Sequence, residues 1–127
     1  MQAPLLDLEP LEVFATLGYD DYLDLLDDVI RDVPGHLESF RAAIHAGNPA
    51  DVSSRVHTFR GMVSYFGCIA LTGRLAELEH QPAIAPTQAA AIQAELQELW
   101  DRSLAAIRDW EKSVPDFAPG YQAVDLG

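Results

Sequence analysis

Apolar side chains in this chain recur at steps of three and four residues, and that helical period leaves few folds open. Tyr22, Leu26, Val29, Val33, Leu37, Phe40 and Ile44 form one such stripe, and Val52, Val56, Phe59, Val63 and Phe66 form a second. A third runs through Cys68, Leu71, Leu75 and Leu78, and a fourth through Ile92, Leu96, Leu99, Ser103, Ile107 and Trp110. No alternating stretch suggests a strand, and no internal repeat competes. Each stripe must be buried against the others. The expected fold is therefore all-α, an antiparallel up-down-up-down four-helix bundle with short connections.

Punctuation residues set the boundaries. Asp7 can cap a short helix from Leu8 to Thr16 that stops at Gly18 and serves as an N-terminal capping helix, a lid on the bundle. Asp20 can cap the next helix. Pro34 lies inside that run, but the stripe continues in phase past it, so a kink is expected rather than an end. Gly47 terminates the helix, Asn48 caps its successor, and Pro49 takes the first helical position. The second and third stripes differ in phase by about 100°, so one straight helix could not bury both. Gly67 stands at the discontinuity. A tight turn there should join two antiparallel helices, Pro49–Tyr65 and Cys68–His80. Residues 81–86 read as a loop, and the last helix should start near Pro86 or Thr87 and end at Pro115. The bundle is assigned to residues 1–113; residues 114–127 lack periodicity and form a C-terminal tail, disordered or laid along the bundle.

Composition narrows the function. At 127 residues the chain is one domain, and an apolar content of 49% is too high for disorder. No apolar run approaches the roughly 20 residues that span a bilayer. The N-terminal stretch lacks the basic region and cleavage site of a signal peptide, so a cytoplasmic protein that does not enter a membrane is expected. Cys68 is the only cysteine, which rules out a disulfide or a cysteine-built zinc site within one chain. With 20 acidic against 8 basic residues and a net charge of −12, the surface would repel nucleic acid.

The segment Arg55-Val56-His57-Thr58-Phe59-Arg60-Gly61 carries the candidate chemistry. His57 lies about 100° or more from its stripe and should point outward. Gly61, four residues on, leaves bare the position that would otherwise cover His57. A glycine in mid-helix costs about 1 kcal/mol relative to alanine, and access to the imidazole is a reason to keep it. Arg60 lies one turn from His57 on the same side, and Ser64 two turns away. An imidazole that is mostly neutral at pH 7 can attack phosphorus, and a neighbouring guanidinium can balance phosphoryl oxygens. The plain alternative is a solvated histidine beside a solvated arginine. Counting helical rise away from Gly67, about 15 Å back to His57 and about 18 Å on to Glu79, brings Glu79 level with His57. Glu79 could then accept a hydrogen bond from the ring and set its tautomer, or simply be a solvated helix-end charge. His36 and His45 have no partner at a useful spacing. His80 follows Glu77 at the Glu-x-x-His spacing of di-iron bundles, but the second such motif is missing, and no metal site is expected.

These residues resemble a known family. His57-Thr58-Phe59-Arg60-Gly61, then Phe66-Gly67-Cys68 with Leu71, then Leu78-Glu79, is similar to the signature of histidine phosphotransfer (HPt) domains, and the likeness runs roughly from Leu11 to Trp110. The resemblance implies that His57 is the phosphoacceptor, that Arg60 stands where the family has lysine, and that Gly61 is the access glycine. It implies a phosphorelay intermediate that shuttles a phosphoryl group between receiver-domain aspartates, not an autonomous enzyme. The implied partners are response-regulator receiver domains or a hybrid sensor histidine kinase, met by a monomer. No cofactor is implied on this chain, and Mg²⁺ is expected on the receiver. Two residues depart from the pattern. Arg60 presents a planar fork in place of an ammonium, and Met62 replaces a small residue. Met62 either crowds the site, which favours a binding module that docks a kinase or receiver without transfer, or belongs to an apolar docking surface.

Overall fold

The computed structural model describes residues 4–16 and 18–114. They form α1 (Leu8–Ala15), α2 (Tyr19–His45), α3 (Pro49–Ser64), α4 (Ile69–His80) and α5 (Pro86–Ser113), with no strand among the described residues. α2 packs on α3 and α5, and α4 packs on the same two helices, which closes the expected four-helix bundle; α1 lies against α2. The C-terminal tail beyond residue 114, and with it Pro115, falls outside the described residues.

Local sequence explains most of the helix ends. The Asp7 carboxylate accepts from the Glu9 N–H at 3.1 Å and caps α1. Asn48 does the same for Asp51 ahead of α3, with Pro49 next to it. The expectation for Asp20 needs correcting. α2 begins one residue earlier, at Tyr19, and its N-cap is Gly18 at φ +121°, which offers no side chain. The Gly18 N–H bonds to the Ala15 carbonyl, so the exit turn of α1 runs straight into α2. Asp20 sits inside the first turn with Asp21, where carboxylates still favour the positive end of the helix dipole. Pro34 lies within the continuous α2, on its exposed side.

Three of the four stripes are buried throughout, including Tyr22, Leu26, Phe40, Phe59, Val63, Phe66, Leu71 and Leu75. The fourth is less regular. Leu96, Ser103, Ile107 and Trp110 are buried, but Ile92 and Leu99 are only half-buried, while Trp100 and Ala89 join the core from outside the stripe. α5 touches both α2 and α4, so its buried surface is wider than one seam.

Gly67 is the hinge of the fold. It adopts φ +69°, and a Cβ there would overlap the carbonyl oxygen of Asp7. The Gly67 carbonyl accepts from the Asp7 N–H at 2.8 Å, and the Ala70 N–H reaches Leu5 at 3.3 Å, which straps the chain ahead of α1 to the α3–α4 turn. Above this turn Phe14 of α1 packs on Phe66 and Tyr22, with ring centroids 5.3 and 5.8 Å apart, and Tyr22 packs on Trp110 at 5.9 Å. α1 is thus a lid held by backbone hydrogen bonds and aromatic contact. Below it, Tyr22 donates to the buried Glu111 carboxylate at 2.9 Å, and Arg108 donates to both oxygens of that carboxylate at 3.1 Å. Burial pushes the Cys68 thiol up to about 12, so this cysteine is an inert core residue.

Candidate functional site

His57 stands on the outer face of α3, two-thirds of its side chain exposed, while Val56 and Phe59 on either side of it point into the core. The antiparallel return of α4 brings Glu79 beside it. The ring Nδ1 lies 2.9 Å from Glu79 Oε2. Arg60, one turn along α3, places Nε 2.9 Å and Nη2 2.8 Å from Glu79 Oε1. Ser53 Oγ donates to the backbone carbonyl of Glu79 at 3.3 Å and ties the end of α4 to α3. The pattern of apolar stripes gave no hint of Ser53, because its role depends on the pairing of two helices.

The protonation pattern follows from what each group can do. Desolvation works against the Glu79 carboxylate, but hydrogen bonds from His57 and Arg60, together with the Arg60 charge, outweigh it and hold its pKa below the ordinary value. An ionised carboxylate only accepts, and a guanidinium only donates. Nδ1 is 2.9 Å from the acceptor and 3.3 Å from the donor Nη2 of Arg60, and a single ring nitrogen cannot serve both. The shorter contact to the anion decides it: Nδ1 carries the proton and donates to Glu79. The lone pair of the neutral ring is then on Nε2, which no hydrogen bond reaches among the described residues. Arg60 is committed to Glu79 rather than to the ring.

Gly61 is exposed on α3, and a Cβ added there would meet nothing within 4 Å. Internal packing therefore does not require glycine at this position. Ser64 bonds back to the Gly61 carbonyl at 2.9 Å and does not turn toward His57. Met62 is half-buried and packs against the core, with a second contact surface facing a groove between α1, α2 and α3. Five residues on from His57, it lies about 140° round the helix from the imidazole.

The remaining histidines stay outside the site. His36 stacks on Phe59 at 5.5 Å, a packing contact. His80 and Glu77 find no further ligands, and no group of three or more His, Cys, Asp or Glu is placed to hold a metal ion among the described residues.

The four-helix bundle that carries this site agrees with what the comparisons find. The family model of the Hpt domain matches residues 24–110. The chain belongs to the Hpt domain family. This Hpt domain is also similar to the crystal structure of histidine-containing phosphotransfer protein B from Pseudomonas aeruginosa PAO1. The TM-score is 0.72 at 27% identity, over 85% of this chain and 95% of that one. A search of curated proteins returned no match. The bundle, the phosphorelay class and the family resemblance read from the sequence are thereby established. No helix among the described residues is long and apolar enough to cross a membrane.

Proposed function

We propose that this Hpt domain is a cytoplasmic phosphorelay shuttle that takes a phosphoryl group from the aspartyl phosphate of one receiver and gives it to the aspartate of another. The observation that carries this reading is the division of labour on the ring, with Nδ1–H held by Glu79 and Nε2 bare on an exposed helix face. In the forward step the Nε2 lone pair attacks phosphorus as the P–O bond to the receiver carboxylate breaks. The freed carboxylate keeps the bonding electrons, and no proton has to leave the histidine. The ring gains positive character, which the Glu79 carboxylate stabilises through the Nδ1–H bond. The return step runs the same atoms in reverse on a second receiver. Arg60 holds Glu79 in place and supplies positive charge near the phosphoryl oxygens. Gly61 leaves room for the receiver backbone.

The chain acts as a carrier and works as a monomer. In this proposal the divalent metal, Mg²⁺, and the catalytic constellation sit on the receiver. The competing reading, a binding module without transfer, depended on Met62 crowding His57. Met62 packs toward the core and the groove, which removes that support. The test is direct. Incubation with a phosphorylated receiver should put acid-labile label on the parent protein and none on His57→Gln. Label on the variant would assign the acceptor elsewhere.

A further inference from the structure

The groove beside Met62 is an apolar hollow the bundle leaves open, about 960 Å³ between α1, α2 and α3. Phe14, Val29 and Met62 are buried or half-buried within it. Val13 at 61%, Leu25 at 46% and Tyr65 at 67% stand exposed along it. Side chains of this size, exposed and contiguous, mark a contact surface. The rim is acidic. Asp28 and Asp32 border it on α2, and Asp7 and Glu9 at the start of α1. Among the described residues, the basic group paired to this rim is Arg31, bound to Asp28 at 3.3 Å.

The groove is continuous with the His57 face. Going round α3 from His57, Arg60 and Glu79 lie on the α4 side, whereas Gly61, Tyr65 and Met62 lie about 40°, 80° and 140° the other way. Along the axis Met62 is about 7.5 Å and Tyr65 about 12 Å from His57. The space over Gly61, on the side of His57 that turns toward the groove, is open.

Resting on the proposed phosphotransfer function, we infer that Asp28 and Asp32 select receivers by charge: the groove takes a receiver face whose apolar residues are flanked by Lys and Arg. Apolar contact seats the partner over Gly61, and the acidic rim rejects receivers whose matching face is acidic. The overall charge of −12 acts in the same direction at longer range. Asp28 and Asp32 are exposed on α2, whereas His57 contacts Glu79 on α4 and Arg60 on α3, so replacing the two aspartates leaves those contacts untouched.

The experiment uses the full chain and a panel of purified receiver domains from the same genome, sorted by the charge around the apolar patch beside the acceptor aspartate. Binding is measured by calorimetry at about 20 mM and about 200 mM salt, which shortens the range of charge interactions several-fold. Receivers with basic flanks should bind the parent and weaken tenfold or more at the higher salt. The double variant Asp28→Lys/Asp32→Lys should lose tenfold or more for that group and gain for the acidic one. Equal binding of the two groups, no response to the charge reversal, or no receiver bound by the parent overturns the inference. Labelling of His57 by phosphoramidate, a small donor that needs no docking surface, is run alongside. Failure there with charge-dependent binding intact would sink the phosphotransfer reading and leave the docking inference standing. Retained labelling with charge-indifferent binding would do the reverse.

Discussion

At the scale of single residues, the useful contrast is between groups that act and groups that hold. His57 lies outside every apolar stripe and is exposed, so His57→Gln should change stability by no more than about 0.5 kcal/mol while abolishing acid-labile label. Glu79 acts through the ring it orients. In Glu79→Gln the carboxylate that fixes Nδ1–H is gone, so nitrogen NMR of His57 should move toward the Nε2–H tautomer. Transfer should slow about tenfold, equivalent to about 1.4 kcal/mol in the barrier. Unchanged tautomer populations would reduce Glu79 to a surface charge. The same carboxylate leaves a mark on acid stability. Its folded pKa lies below the ordinary 4.5, so its contribution is present above that value and is lost as the pH falls through the folded pKa. Denaturation followed downward from pH 5 should be less steep in Glu79→Gln than in the parent. Gly61 separates access from packing. An added Cβ meets nothing, so Gly61→Ala should stabilise the fold by about 0.4–1 kcal/mol. Gly61→Gln should slow transfer from a receiver tenfold or more, yet accept phosphoramidate at the parental rate. A parental rate from the receiver would mean the partner does not pass over Gly61.

At the scale of elements, the α3–α4 turn is where a small change has the largest structural effect. Gly67 needs a positive φ and also receives the Asp7 carbonyl in the space a side chain would fill. For alanine the backbone alone costs about 1–2 kcal/mol, and the overlap with Asp7 adds to it unless the strap ahead of α1 moves. Gly67→Ala should therefore lower stability by at least about 1–2 kcal/mol and lose hydrogen-exchange protection first at the Asp7 and Ala70 amides. A variant as stable as the parent, with those amides still protected, would show that the lid is not strapped there. The turn was legible because two stripes fell out of phase at a glycine. The strap was not, since residues ahead of Asp7 show no pattern that pairs them with position 70.

At the scale of the whole molecule, one buried polar network joins the first long helix to the last. Tyr22 and Arg108 satisfy Glu111 inside the core, and Phe14 and Trp110 enclose the tyrosine ring. Removing the phenol oxygen leaves a buried carboxylate short of one donor, so Tyr22→Phe should cost about 1–3 kcal/mol in a denaturant melt. An unchanged midpoint would mean that Arg108 alone suffices. The acidic half of α2, α1 and the groove lie to one side of His57, and the Arg60–Glu79 pair lies to the other. The bundle thereby presents a reactive atom between a polar clamp and an apolar seat.

The order of residues was enough to tell which side chains face inward along α2, α3 and α4, where the helices turn, and that His57 faces out. All of these follow from the helical repeat and from glycine, proline and capping chemistry acting over a few residues. It brought Glu79 level with His57 by counting rise, but left its role open, because rise gives height along an axis and not the side on which two helices meet. It took the packed bundle to show that Glu79 points at Nδ1, that Arg60 clamps Glu79 rather than the ring, and that Ser53 secures the pair. The bundle also decided that Met62 borders a groove, that Trp100 and Glu111 are core residues, and that Gly18 rather than Asp20 opens α2. Each of these depends on how two or three helices are rotated against one another. That rotation is fixed by side-chain packing across the whole bundle, and no single stretch of chain encodes it.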